Sequence, residues 1–285
     1  MQAHILLSDM GPVAKLLGME IYRNEDEMTM DVLQVTYIER MAAKYGLASA
    51  KAVDTPIPPG TNLSEDVGTI LNDDKPHRQI VGSLLYCAMA TRPDIVHAVT
   101  QLSLHLTQAH QLHVHMARRV VAYLLHTKTV GLSFTGGRRG SDKLVGFSDS
   151  SWADDRATGR STCGYLWMMA RGANLVAVQA AGHRDAVDGR GRICRRLSGR
   201  ATRHASAQPI GRSAIGSNQA SIQRTKHLAL HFYFLWDLVK SRKFTLTHLP
   251  TNVMPADVFT KHVPKDKLKA AMAFMGMGGC CGFCP

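Results

Sequence analysis

The sequence predicts an α/β chain: helices in its first half, a strand meander in its second. Two observations carry this. Apolar residues recur at helical spacing between 77 and 128, and short strand-like runs separated by turn residues follow from residue 144. A length of 285 residues is enough to bury a real core and gives a prior of about two domains.

The elements follow in order. Residues 1–60 read as the end of something larger, because a strand over Lys15–Ile21 would lack an upstream partner. Val32–Tyr45 carries apolar residues at helical spacing and Gly46 stops it. The prolines at 56, 58 and 59 make 54–60 a loop. Helices are expected at His77–Ala90, Ile95–Thr107 and His113–Thr127, with Arg92-Pro93-Asp94 as a break. Residues 135–142 form a turn-rich linker. Strands are expected at Leu144–Ser148, Gly164–Met169 and Asn174–Gln179. Thr225–Lys240 reads as a strong helix, Phe244–Leu249 as a strand and Pro255–Lys261 as the start of a last helix. The Gly/Cys-rich stretch 276–285 reads as an unstructured tail.

Lys plus Arg number 34 against 22 acidic residues, a net charge of +12. Nucleic acid is the default partner of so basic a chain. The charge is concentrated, however. Between Arg171 and Arg212 stand nine arginines and no lysine against Asp185 and Asp188, which is +7 of the total, and no aromatic residue occurs there. From 180 to 216 the sequence has no periodicity at all. Apolar residues at 45% argue against wholesale disorder. No basic stretch precedes an apolar one at the start, so no signal peptide is expected, and apolar runs such as Leu84–Ala90 are too short for a membrane span. Six cysteines do not make a disulfide framework, so an intracellular, non-secreted location, cytoplasm or nucleus, is expected.

Eight short words carry more information in combination than any one motif. They are Leu16–Glu20 (LLGME), Asp54–Pro56 (DTP), 78–95 (RQIVGSLLYCAMATRPDI), His113–Leu124, Asp149–Ala153 (DSSWA), Arg160–Tyr165 (RSTCGY), Arg224–His227 and Ala256–Lys261 (ADVFTK). In this order the chain resembles the C-terminal part of the Pol polyprotein of copia-type LTR retrotransposons, across about 8–275 with a gap near 175–216. The resemblance implies a reverse-transcriptase remnant and helical connection at 1–135, then a ribonuclease H-like domain at 143–275. Intact, that domain is a mixed sheet whose first three strands are antiparallel. The implied substrate is an RNA–DNA hybrid and the implied cofactor is Mg²⁺. No membrane or small-molecule cofactor is implied, and oligomeric state is left open.

Ribonuclease H chemistry uses two divalent ions, one to activate water and one to stabilise the leaving oxygen. Mg²⁺ takes oxygen ligands, hence carboxylates. The resemblance implies four of them. The first falls on Asp149 and the last on Asp257, the catalytic and metal-ligand candidates here. The second belongs in a word like EAEY, which this chain lacks, and Ser217 stands where the third belongs, before Asn218-Gln219-Ala220. Asp185 and Asp188 lie in a Gly/Arg-rich stretch without a helical face to present them. The polymerase carboxylates lie upstream of all matching words. The pair Asp73-Asp74 sits in a polar loop and reads as a solvated turn. The chain is therefore expected to lack polymerase chemistry and to be catalytically inactive as a ribonuclease H, with Mg²⁺ not productively held. A domesticated nucleic-acid-binding protein using Arg190, Arg192, Arg195 and Arg196 is the alternative, and a working Mg²⁺-dependent ribonuclease H is a third reading.

A slip of reading frame accounts for the anomalous segment. A synonymous choice of codons for Val176–Arg196, read one base later, gives WQSRRQATVTLSTAEAEYVA, which contains the missing word. Shifted reading of GC-rich codons also generates arginine. Residues 176–216 are then expected never to have evolved as folded protein.

Other signals are weaker. His248 could assist product release near Asp257, though a polar strand end is the plainer reading. Cys280, Cys281 and Cys284 lack the second pair that a structural zinc needs. Arg118, Arg119 and Lys128 could line a nucleic-acid path or a solvated helix face, His113 reads as packing, and Trp152 as core under the first strand.

Overall fold

The computed structural model describes residues 11–64, 70–71, 73–137, 144–151, 162–180, 249–250 and 253–279. The expected helix at Thr225–Lys240, most of the strand at Phe244–Leu249, Trp152, His248, residues 181–216 and the cysteines at 280–284 lie outside them.

The chain is mixed α/β, built from helices and two antiparallel sheets. The first sheet orders its strands β1 (Lys15–Leu16), β2 (Met19–Asn24), β3 (Thr29–Leu33), β4 (Val130–Thr135) and β8 (Met277–Gly279). The second is a meander of β5 (Val145–Ser150), β6 (Thr162–Met169) and β7 (Gly172–Ala180). The described strands pair only antiparallel. The helices are α1 (Val35–Lys44), α2 (Lys75–Ala90), α3 (Val96–Ser103), α4 (Gln111–His126) and α5 (Lys265–Phe274), with 3₁₀ turns at Pro93–Ile95 and Pro255–Phe259. One buried apolar cluster runs from Ile38 on α1 through Leu84, Val120 and Leu124 to Leu166, Phe259 and Met275.

Several expectations need correction. The stretch Lys15–Ile21 is not one strand wanting an upstream partner. Leu17 and Gly18 both adopt positive φ, fold it into a hairpin, and its partners come from downstream. The first helix starts at Val35, not Val32, because the Glu20 carboxylate accepts the amides of Val35 (3.0 Å) and Thr36 (3.2 Å), satisfying two free donors of the first turn. Val32 instead pairs with Ile21 and Leu132 in the sheet. The third helix ends at Ser103 rather than Thr107. Gln108 takes a positive φ, and the Asp74 carboxylate accepts the amides of Gln108 and Ala109. Asp74 is thus a tie between loop and helix start rather than a merely solvated residue. Those two backbone bonds, Ala109 first and burial opposing, hold its carboxyl below the usual carboxylate range. Pro255–Lys261 is not the start of the last helix. It closes as a 3₁₀ turn, and α5 begins afresh after Pro264. The tail expected to be unstructured opens with β8, which adds to β4 in the register Val130↔Gly279. Val176–Ala180, inside the segment attributed to a frame slip, complete β7 opposite Thr162–Leu166.

The two sheets are stitched together. The amide of Thr135 donates to Ala170 O (2.7 Å), that of Ser133 to Gly276 O (2.8 Å) and that of Ala173 to Met275 O (2.9 Å). The hairpin between β6 and β7 therefore docks on β4, and the C-terminal strand joins the N-terminal sheet.

The break word Arg92–Ile95 holds a fully buried ion pair. Arg92 donates Nε–H to Asp94 Oδ1 (3.0 Å) and Nη2–H to Asp94 Oδ2 (2.7 Å). It also donates to Thr127 O (2.9 Å) and Thr127 Oγ1 (2.7 Å), and Tyr123 donates its hydroxyl to Asp94 Oδ2 (2.8 Å). Burial and the Asp94 charge push the Tyr123 hydroxyl far above its ordinary pKa, so it remains a donor. The network clamps the α2–α3 junction to the end of α4.

Candidate active site

The two aspartates singled out in the sequence are brought to one place. Strand periodicity puts Val145, Phe147 and Asp149 on one face of β5. Phe147 meets Phe274 of α5 edge-on, with ring centroids 5.1 Å apart. Asp149 stands opposite Gly164 on β6. The 3₁₀ turn packs onto the meander at that glycine, because a Cβ on Gly164 would lie 2.4 Å from the Cβ of Phe259. Phe259, fully buried, anchors the turn, and the turn carries Asp257 beside Asp149.

The carboxylates share cations and a hydroxyl. Lys261 Nζ lies 2.5 Å from Asp257 Oδ1 and 3.9 Å from Asp149 Oδ2. Lys267, from the first turn of α5, reaches the other Asp257 oxygen, Oδ2. Thr260 donates its hydroxyl to Asp149 Oδ2 at 2.7 Å. The Asp257 side chain is 3% exposed and that of Asp149 16%. Burial would raise the Asp257 carboxyl, but the Lys261 and Lys267 ammoniums outweigh it and hold it below the usual carboxylate range.

Mg²⁺ needs near-octahedral oxygen coordination. The described donor set does not fit it: both Asp257 oxygens already accept from ammoniums, and Asp149 Oδ2 accepts from Thr260. Among the described residues, no three His, Cys, Asp or Glu side chains are grouped to hold a metal. The other two positions of the implied carboxylate set, at the missing EAEY word and Ser217, lie outside the described residues.

A histidine pair supports the turn from the helical side. His97 of α3 and His262 lie with ring centroids 4.6 Å apart, and His97 hydrogen-bonds the Phe259 backbone. Burial, reinforced by His262, pulls His97 down to about 3, and burial pulls His262 down to about 4. Both are neutral in the fold, whereas in the unfolded chain they titrate near about 6.5. The unfolded state then binds more protons below that pH. Stability from this pair is complete above about pH 6.5 and is lost as pH falls toward 4 and 3, at up to about 1.4 kcal/mol per pH unit per histidine. Urea denaturation at successive pH values between 7 and 5 is expected to show this slope, reduced in His97→Leu. A flat profile would contradict it.

The remaining candidates have local roles. His113 is buried. Its Nδ1 accepts the His110 amide (2.9 Å), so Nε2 donates to Leu63 O (2.9 Å), and it stacks on His105. Arg118 donates to Tyr45 O (3.1 Å) and Lys128 pairs with Glu39 (2.5 Å), so both make contacts within the protein. Lys261 ends the word ADVFTK without a role read from the sequence, and Lys267 lies outside every word. The four-residue spacing Asp257–Lys261 on a turn was the available signal.

The ordered sequence words resemble a polyprotein of a mobile element, and comparison with known proteins agrees. The chain is similar over most of its length to retrovirus-related Pol polyproteins of copia-type transposons. It is 28% identical over 295 residues to the Pol polyprotein from transposon TNT 1-94 of Nicotiana tabacum, which covers 95% of this chain and 22% of that protein. It is 31% identical over 246 residues to the Pol polyprotein from transposon RE1 of Arabidopsis thaliana, covering 80% of this chain and 17% of that one. It is 32% identical over 165 residues to a putative transposon Ty5-1 protein of Saccharomyces cerevisiae, covering 58% of this chain and 52% of that one. The chain thus spans about a fifth of the length of the plant polyproteins. No protein-family model matches it, and no solved structure matches it significantly. Among the described residues, no helix is long and apolar enough to cross a membrane.

Proposed function

We propose that the chain is a remnant of the reverse transcriptase–ribonuclease H portion of a copia-type Pol polyprotein, without ribonuclease H activity of its own. The observation that supports this reading is that Asp149 on the antiparallel meander and Asp257 on the 3₁₀ turn docked against it come together yet are neutralised by Lys261 and Lys267. The sequence supplies neither of the other two family carboxylates. Two carboxylates, one with both oxygens committed, do not hold two divalent ions in line. Residues 1–135 are the polymerase tail and connection on this reading, and the location is intracellular. The family's ancestral substrate is an RNA–DNA hybrid with Mg²⁺.

The purified full chain, incubated with a labelled RNA–DNA hybrid and Mg²⁺ or Mn²⁺, is expected to leave the RNA strand intact. Cleavage that Asp149→Asn abolishes would overturn the proposal.

The +7 segment favours one second reading, a nucleic-acid-binding protein. It requires affinity that falls steeply with salt and weakens when Arg190, Arg192, Arg195 and Arg196 are neutralised. Unchanged binding in that variant would reject it.

A further inference from the structure

We propose that Lys261 and Lys267 are built-in counter-cations: Lys261 stands between Asp149 and Asp257, Lys267 pairs with the second oxygen of Asp257, and together they make this carboxylate pair a metal-independent latch. The inference rests on the proposed function only for the choice of divalent metal as the competing cation. The geometry of the latch stands without it.

Three elements meet at the latch. Asp149 comes from β5, Asp257 and Thr260 from the 3₁₀ turn and its end, Lys267 from α5. Asp257 is nearly fully buried, and a buried carboxylate needs compensating charge. Each of its oxygens faces a different ammonium. Lys261 is also within 4 Å of Asp149, so one ammonium is shared by both carboxylates. Among the described residues, two lysines face two aspartates at this cluster. The two lysine side chains stay 45% and 35% exposed, so the ammoniums need not be fully desolvated to reach the site. A divalent ion entering here would have to displace an ammonium from Asp257, and that ammonium would then repel it. The latch acts beside the buried Phe259 ring in keeping the turn docked at Gly164.

Two measurements on the full chain test this. In the first, thermal melting of the unmodified protein is followed in EDTA and in millimolar Mg²⁺ or Mn²⁺, and Mn²⁺ binding is read by water-proton relaxation. The melting temperature is expected to be the same in all three, with no component of Mn²⁺ binding removed by Asp257→Asn. In the second, Lys261→Met/Lys267→Met, which keeps the apolar stems, is melted in the same buffers. It is expected to melt lower than the unmodified chain in EDTA and to recover part of the loss in Mn²⁺. That recovery should vanish when Asp257→Asn is added. Mn²⁺ binding by the unmodified chain that Asp257→Asn abolishes would overturn the proposal. So would a folded double-lysine variant that melts like the parent or stays indifferent to Mn²⁺. If the double variant does not fold, the unmodified chain's response to Mn²⁺ and its loss in Asp257→Asn decide alone. Hybrid cleavage is a separate readout, so failure of the latch and failure of the inactive-remnant reading are distinguishable.

Discussion

Replacing Arg92 with methionine is expected to destabilise the chain by about 3–5 kcal/mol, the usual cost of stripping one partner from a buried ion pair. The Asp94 side chain has no solvent exposure, so without the guanidinium its charge has neither water nor a cation to meet. Thr127 loses two donors at the same time, and the α2–α3 junction loses its tie to α4. Arg92→Met/Asp94→Leu should recover a large part of the loss, since the uncompensated charge is then gone. Urea denaturation of the three proteins measures both quantities. A loss below about 1 kcal/mol in Arg92→Met would mean that water reaches Asp94 and that the clamp is not buried as described.

Gly164→Ala is expected to cost about 1–3 kcal/mol, because the new methyl must be accommodated where Phe259 Cβ already lies 2.4 Å away. The obstacle is a Cβ and nearby backbone, not the end of a flexible side chain, so the 3₁₀ turn has to lift. Lifting it pulls Thr260 from Asp149, a hydrogen bond of 2.7 Å. Phe259→Ala does not rescue the variant, since alanine keeps the same Cβ. On its own it removes a fully buried ring at about 3–5 kcal/mol. Melting temperatures of the two single variants and the double variant test this. A Gly164→Ala protein as stable as the parent, or one rescued by Phe259→Ala, would contradict the close packing.

The parts of the fold that sequence reading reached are those with a local signal. Short runs between turn residues mark the three meander strands, expected at Leu144–Ser148, Gly164–Met169 and Asn174–Gln179 and observed at Val145–Ser150, Thr162–Met169 and Gly172–Ala180. Helical spacing and Arg-Pro-Asp marked α2 and α4 within two residues of their ends. What local pattern could not reveal is long-range pairing. The bond between β4 and β8 joins Val130 to Gly279, and nothing in Met277–Gly279 announces a strand. The start of α1 depends on Glu20, a cap fifteen residues upstream of Val35, outside any helical window. At the site, Asp149 and Asp257 came from the ordered words, not from periodicity. Their neutralisation by Lys267 needed the fold, because a partner ten residues away has no fixed direction until α5 is docked. The Arg92–Asp94 clamp shows the same limit. The word is visible, but its partners Tyr123 on α4 and Thr127 just past the end of α4 lie far downstream.

On the proposed function, a Pol-like domain lost its second and third carboxylates when residues near 176–216 left their original reading frame. The nucleotide sequence of gene and transcript across codons 165–225 tests this most directly. The account predicts that the frame one base later reads the tryptophan-to-alanine string WQSRRQATVTLSTAEAEYVA or a close variant of it, and that the transcript keeps the frame of the present chain. A shifted frame with stop codons and no such word would contradict it, and the arginine-rich segment would then have to be a selected part of the protein.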